Sequence, residues 1–494
     1  MCGIVGYVGR EQAAPILLEG LSKLEYRGYD SAGICVYNGT ALQVAKIKGR
    51  LQNLIDLTRG GASLPGTSGI GHTRWATHGA PSDMNSHPHM SDGGKFSVVH
   101  NGIIENYLPL KEMLEKNGMQ FHSETDTEVV ANLIEYFYTK GATFRQAVRK
   151  AVARVEGSYT LGVLCADVPG TVIGVKKDSP LIFGYGQGCN FIASDVPAIL
   201  KYTRDVVYLN DGDLLEMTAD SVTFYNTHGE VVEKETEHVT WEISAAEKGG
   251  YAHFMLKEIY EQPKAVRDTI HPRIREGRIV LDDIQLPAEY LQNLRRIYIV
   301  ACGSAYYVGV HGKYIIENLC RVPVEPVLAS EFRYADPVLD DTTLVIIISQ
   351  SGETIDTLAA MREAKRRGAR VLAVVNVVGS SIAKAADDVL YTWAGPEIAV
   401  ATTKAFSTQL AVMCLLALYI AQALHTLPPE RYDALLAALQ KLPEQLEEVL
   451  SPENVTAIQY YAAQYFNNRD VFFIGRNLDV GTTGYVKVSH QPER

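Results

Sequence analysis

No strand in the sequence is followed by GxGxxG, no GxxxxGK[ST] occurs, and the cysteines form neither a CxxC pair nor a Cys/His cluster at metal spacing. The first two absences leave dinucleotide and nucleoside-triphosphate folds without their phosphate loops, and the third removes the usual zinc and dithiol motifs. Basic residues are not in excess: 46 Lys and Arg stand against 57 Asp and Glu, a net charge of −11. Such a chain does not hold a nucleic-acid backbone by bulk charge, so an anionic substrate has to be caught by backbone amides and a few placed side chains. The seven cysteines are odd in number and scattered, the pattern of a reducing compartment, and MCGIVGYVGREQ lacks the basic start and long apolar run of an export signal. The expectation is a cytoplasmic protein with no metal, no cofactor and no nucleic-acid partner.

What is present is ordinary for a soluble enzyme: 494 residues, 47% hydrophobic and 21% charged. At roughly 150 residues per domain that length allows about three domains. One segment, AVMCLLALYIAQAL, looks membrane-like in isolation, but Ser407, Thr408 and Gln409 precede it and Gln422 interrupts it. A buried helix of a large α/β layer is the expected reading, and no membrane association follows from it; a span over residues 405 to 424 is the alternative.

Residues 2–225 alternate short strands with Gly-rich turns. Two helices are predicted among them, VVANLIEYFYTKG closed by Gly141 and FRQAVRKAVARVEG closed by Gly157. This reads as mixed α+β with antiparallel sheet. Residues 226–250 turn polar and acidic and read as a linker ending at a double glycine. Residues 251–430 change rhythm. RRIYIVACGSAYYVGVHGKYIIENL, TTLVIIISQSGETIDTLAAMREAKRRG and ARVLAVVNVVGSSIAKAADDVLYTWA each run from an apolar strand through a Gly/Ser loop into an amphipathic helix, the signature of a parallel sheet covered on both faces. Helices are predicted at about 404–424 and 429–467, and a new apolar strand at DVFFIGR opens a second α/β unit within residues 431–494.

Several residues carry candidate chemistry. Cys2 directly follows Met1; exposed by Met removal, it would own a free α-amine able to take its thiol proton, although a cysteine at position 2 is by itself an unremarkable terminus. GHTRWATHG supplies Arg74, Trp75, Thr77 and His78, VVHNGIIENY supplies Asn101 and Gly102, and SETDTEVV supplies Asp126. Taken singly, Arg74 and Asp126 read equally as structural ion-pair residues, and Trp75 as a packed aromatic. Further on, Ser349, Ser351 and Thr354 of SQSGET meet backbone amides where a strand turns into a helix, which suits either a phosphate or a simple helix cap. Ser304 after IYIVACG offers the same geometry, and PEIAVATTKAF brings Val400 and Thr402 to a third loop.

CGIVGY with its three downstream motifs resembles the N-terminal nucleophile (Ntn) class II glutamine amidotransferases. The resemblance implies an αββα glutaminase whose Cys2 forms a thioester. Asn101 and Gly102 would hold the oxyanion, and Arg74, Trp75, Thr77, His78 and Asp126 the glutamine, with Trp75 at the family's ammonia gate. The later loops resemble the sugar isomerase (SIS) domain, an α/β fold that binds phosphosugars. By that likeness Ser304, Ser349, Gln350, Ser351 and Thr354 hold the sugar phosphate and Val400 and Thr402 lie near the sugar, Thr402 standing where Ser is common. Together with MLKEIYEQP and TTKAF, these motifs are similar to the amidotransferases that join a glutaminase to two SIS units and convert glutamine and fructose 6-phosphate to glutamate and glucosamine 6-phosphate through an internal ammonia channel. Such enzymes are homodimers when the second SIS unit is present. Here NLDVGTTGYVKVSHQPER follows FFIGR, roughly 100 residues short of two complete units, and neither Lys487 nor His490 sits in a matching motif. The expectation is therefore glutaminase activity with partial sugar-phosphate binding. A non-catalytic phosphosugar-binding regulator is the alternative.

Overall fold

GIVGYV, SAGICVY and SGIGHTR carry small or apolar residues at both odd and even positions, so strands made from them have to be covered on both faces. The computed structural model describes residues 2–25, 28–75, 79–239, 249–468, 470 and 472–489. It divides the chain into two units, Met1–Ile243 and Ser244–Arg494. The three domains suggested by length become two, because residues 431–494, expected to open a second α/β unit, fall within Ser244–Arg494.

The first unit holds two antiparallel sheets. One has eight strands, with Gly3–Val8 and Ser68–Arg74 adjacent near its middle; the other has seven, with Phe96–Ile104 beside Gly157–Cys165. Alternation along one strand builds the layers. Ile4 and Val8 enter the seam between the sheets, where Ile70, Val99, Leu164 and Ile192 meet them. Val5 and Tyr7 face the opposite way, onto Leu17 and Leu21 of helix Ala13–Ser22. The second sheet is covered in turn by helices Thr127–Thr139 and Phe144–Val152 through Val130, Ile134 and Val148. The second of these begins at a capping box in which Thr143 and Gln146 satisfy each other's backbone N–H. The result is the αββα sandwich. The acidic segment expected to be a linker contributes to it: Val231–Val232 pairs with Val222–Tyr225, and Glu237–His238 with Asp205–Tyr208.

The second unit contains five parallel strands in the spatial order Val324–Leu328, Arg296–Ala301, Thr343–Ser349, Arg370–Val375, Asp388–Tyr391. Ile297, Ile299, Ile346 and Ile348 face helices Gly303–Cys320 and Lys404–Leu424, while Val300, Val345, Ile347 and Val371 face helix Ile355–Arg366. The membrane-like segment is therefore a core helix. Lys404–Leu424 is long and apolar enough to cross a bilayer, yet Leu415, Leu416 and Ile420 are fully buried against the sheet.

The helical region beyond it is three helices, Pro429–Gln440, Leu442–Val449 and Pro452–Tyr465. The strand expected at DVFFIGR is a correction: residues 472–476 form none. A strand exists through its ladder to a neighbour, and neither edge of the parallel sheet pairs with these residues. Instead Asp479–Ser489 is a helix against Gly303–Cys320, with Thr482 Oγ1 3.3 Å from His311 Nε2 and the Tyr485 ring stacked on Phe406. Leu416→Ala is expected to cost about 3 kcal/mol of stability, measured by urea denaturation.

Candidate functional site

Gly3 lies opposite Thr73 in the central strand pair, so Cys2 comes level with Arg74 and Trp75 at one end of the sheet. The Trp75 main-chain N–H donates to Cys2 Sγ at 3.2 Å. Burial pushes the Cys2 thiol above its usual value, with the Trp75 N–H opposing, so the sulfur needs a base before it can attack. Asn101 reaches over from the other sheet: its Nδ2 donates to the Cys2 carbonyl at 3.0 Å. Gly102 follows within the same strand at φ +133°, where an added Cβ would lie 2.1 Å from the Ser158 carbonyl, so only glycine can present its N–H beside Asn101.

Arg74 is buried and donates from Nη2 to the Gly79 carbonyl at 3.0 Å. Asp126, also buried, accepts from the Ile104 N–H at 2.7 Å, which ties it to the strand that carries Asn101. It stands at the N-cap position of helix Thr127–Thr139 without a side-chain capping bond, at the end where the helix dipole favours a carboxylate. The Trp75 ring is 38% exposed and edge-on to Tyr29, which excludes the packed-core reading. The structure thus brings together Cys2, Arg74, Trp75, Asn101 and Gly102 and links Asp126 to them. Thr77 and His78 lie outside the described residues. A nucleophile, a pair of oxyanion donors and buried charges of both signs can together hold and cleave the side-chain amide of a free amino acid.

In the second unit the strand order reverses between Arg296–Ala301 and Thr343–Ser349, the switch point at which open α/β sheets bind ligands. Both candidate loops leave from these two strand ends. Ser304 lies in the first turn of Gly303–Cys320, and Thr357 Oγ1, 3.6 Å from Cys302 Sγ, links that loop to the next. In the second loop Ser349 Oγ accepts from the Gly352 N–H at 3.1 Å and lies 3.0 Å from Thr354 Oγ1; Ser351 Oγ accepts from the Glu353 N–H at 3.2 Å. The Gln350 carbonyl accepts from the Asn376 N–H at 3.1 Å. Gly352 has φ +65°, and a Cβ there would fall 2.0 Å from Ser380 Oγ. The hydroxyls and amides form one curled turn ahead of helix Ile355–Arg366, a shape that suits a phosphate. On the third loop Val400 is exposed and the Thr402 carbonyl accepts from Tyr485 Oη.

Known proteins share both halves. A glutamine amidotransferase domain family matches residues 72–201 and a SIS domain family matches residues 290–419. Over 480 residues the chain is 56% identical to glutamine–fructose-6-phosphate aminotransferase (isomerizing) of Clostridium acetobutylicum, covering 97% of this chain and 78% of that one. Over 484 residues it is 48% identical to the enzyme of the same name from Thermus thermophilus, covering 98% and 78%. The chain belongs to the glutamine–fructose-6-phosphate aminotransferase family. Among solved structures, the C-terminal domain of the Francisella tularensis enzyme is 37% identical over 49% of this chain and 68% of that domain, with a TM-score of 0.46.

Two features of this aminotransferase-family chain escaped the sequence reading. The first is a stack of buried imidazoles behind the cysteine site. His72 and His87 lie 4.2 Å apart between ring centroids and His87 and His89 4.7 Å apart. Thr127 Oγ1 lies 3.0 Å from His87 Nε2 and 2.8 Å from His100 Nδ1. Burial holds His72, His87 and His89 well below the usual histidine range, His72 down to about 3, and lowers His100 against the opposing Asp126 carboxylate. The visible signal was a cluster of five histidines within thirty residues, His72, His78, His87, His89 and His100; nothing in their spacing announces that four of them meet.

The second is a pair of carboxylates that clamps the third loop. Glu258, from helix Phe254–Ile270, accepts from the Ile398 and Ala399 N–H groups at 2.5 and 3.0 Å. Glu397 accepts from those of Thr403 and Ala405 at 2.8 and 3.1 Å. Val400 and Thr402 stand between the two clamps. Burial and the neighbouring Glu258 push Glu397 up to about 7. The motif MLKEIYEQP held this signal in Glu258.

The two features predict opposite responses to acid. His72, His87 and His89 bind protons in the unfolded chain near pH 6.5 but resist them in the fold, so stability falls as pH drops below about 6.5, by up to about 1.4 kcal/mol per pH unit for each. Glu397 is raised to about 7 and Glu258 is raised as well, so their contribution is present below about pH 4.5 and is lost as pH rises, for Glu397 through about 7. In urea titrations between these limits, His72→Gln is expected to reduce the acid sensitivity of the chain and Glu397→Gln to reduce its loss of stability toward neutral pH.

Proposed function

We propose that the chain transfers the amide nitrogen of glutamine to fructose 6-phosphate, yielding glutamate and glucosamine 6-phosphate. The observation that most supports this is the convergence of Cys2, Asn101, Gly102 and Arg74 at the end of the central strand pair. The chain spans 78% of the length of these curated relatives.

In the glutaminase half, removal of Met1 leaves the Cys2 α-amine as the base for a thiol that burial keeps protonated. The Cys2 sulfur adds to the glutamine side-chain carbonyl, and the oxyanion that forms is met by Asn101 Nδ2 and the Gly102 N–H. The C–N bond then breaks, ammonia leaves with the transferred proton, and water hydrolyses the thioester to glutamate. Arg74 pairs with the substrate α-carboxylate and Asp126 with its ammonium; Thr77 and His78 complete the glutamine site. In the other half Ser304, Ser349, Gln350, Ser351 and Thr354 hold the sugar phosphate, and Val400 and Thr402 face the sugar. The proposed setting is the cytoplasm, in keeping with seven free thiols, with homodimerisation through a second SIS unit where one is present.

Assays with amide-15N glutamine and fructose 6-phosphate test the proposal. Against the narrower sequence expectation of glutaminase with partial sugar-phosphate binding, the wild-type chain, which matches these relatives over 97% of its own length, is expected to release glutamate and to place 15N in glucosamine 6-phosphate; glutamate without labelled sugar would return that narrower reading. Cys2→Ala should lose at least about 1,000-fold of glutamate release yet keep its thermal stabilisation by fructose 6-phosphate. Ser349→Ala should weaken that stabilisation about 10-fold in ligand concentration and leave glutaminase intact. Stabilisation by the sugar phosphate without any glutamine turnover would instead favour the non-catalytic regulator.

A further inference from the structure

An asparagine amide has two orientations of nearly equal shape, and only one of them can serve an oxyanion. With Nδ2 toward the reacting carbonyl, Asn101 donates; turned over, it would present Oδ1 and repel the charge it should stabilise. Nothing in the Asn101 backbone selects between them. The selection lies in what the amide touches.

We propose that His72 is the positioning residue that locks Asn101 in its donating orientation, through a hydrogen bond from Nε2–H to Asn101 Oδ1. The inference rests on the glutaminase reading of Cys2. Asn101 Nδ2 lies 3.0 Å from the Cys2 carbonyl, which can only accept. Asn101 Oδ1 therefore faces the other way, 3.0 Å from His72 Nε2. That same nitrogen lies 3.0 Å from the His100 carbonyl, again an acceptor. Only a protonated Nε2 satisfies both, so the tautomer is fixed by its surroundings. His72 Nδ1 is buried and has no hydrogen-bond partner among the described residues, which agrees with a bare lone pair there. His72 sits on strand Ser68–Arg74 of one sheet and Asn101 on Phe96–Ile104 of the other, so the His72 bond crosses the seam and, with the Cys2 carbonyl on the opposite side of the amide, sets the donor.

His72 is not a base for the cysteine in this arrangement. Its protonated nitrogen is turned to Asn101 and the His100 carbonyl, and the hydrogen bonds of Cys2 Sγ among the described residues are to the Trp75 main chain. The neighbouring His87 ring and the absence of solvent disfavour an imidazolium, which would aim a second N–H into a dry, unpartnered space.

The test is steady-state glutamine hydrolysis by the whole chain, normalised to Cys2 thiols reactive with iodoacetamide. His72→Leu is expected to lower kcat about 10- to 100-fold, below the full loss of an oxyanion donor, with KM for glutamine changed less than about 3-fold because Arg74 and Asp126 are untouched. His72→Gln, which keeps an N–H at similar reach, should recover most of kcat. In an Asn101→Ala background His72→Leu should cost no further activity. Unchanged kcat in His72→Leu, a loss carried by KM, or an equal further loss without Asn101 would each overturn the proposal. Should His72→Leu not fold, imidazole 15N NMR of the wild-type chain decides: a His72 fixed as the Nε2–H tautomer across about pH 6 to 8 supports the lock, and an Nδ1–H tautomer or imidazolium overturns it. A wild-type chain that releases no glutamate removes the glutaminase reading itself, an outcome distinct from any of these.

Discussion

The cysteine site depends on a dry seam between two antiparallel sheets. Ile4, Ile70, Val99 and Ile192 line it, and the polar groups that enter are paired mainly within the protein, with His72 Nδ1 left bare among the described residues. Asn101 enters from one sheet and is held by two groups of the other, the Cys2 carbonyl and His72. Burial disfavours the charged form of the four histidines for the same reason, and Thr127 and Thr125 pair with one ring nitrogen each of His87, His100 and His89. Burial thus does two things at once. It lifts the Cys2 thiol so that a local base is required, and it fixes the donors before any charge develops.

The second unit solves a related problem with backbone. Its strands are buried on both faces, so chemistry is confined to the loops at their carboxyl ends. The SQSGET turn curls its hydroxyls onto its own amides, and Gly352 is what permits the curl. The third loop has no sheet to lean on. Glu258 and Glu397 replace that support with four backbone N–H bonds around Val400 and Thr402, and the cost of burying two carboxylates side by side appears as the raised Glu397.

Much of this was legible in the residues. CGIVGY, GHTRWATHG and VVHNGIIENY pointed to a nucleophile and its donors, and the structure places Cys2, Arg74, Asn101 and Gly102 together. The rhythm of IYIVACGS, LVIIISQSGET and VLAVVNVVG gave parallel strands with loops at one end, and Lys404–Leu424 is the buried helix that Gln422 and the polar approach suggested. What stayed hidden depends on distant partners. Residues 472–476 have strand composition but pair with no neighbour among the described residues, HGEVVEKETEHV looks like a linker yet supplies two edge strands, and His72 is an unremarkable strand residue until the second sheet brings Asn101 to it. Spacing along one chain cannot register a contact made across a seam.

Cys2 acting as a nucleophile served by Asn101 and Gly102 is the central proposal, and the covalent intermediate reports on it most directly. Acid-quenched turnover with glutamine, followed by mass spectrometry, is predicted to show one glutamyl group on the peptide that begins at Cys2, with Met1 removed, and to show none in Cys2→Ala. Glutamate release without a labelled Cys2 peptide, or a glutamyl group carried by another residue, would contradict it.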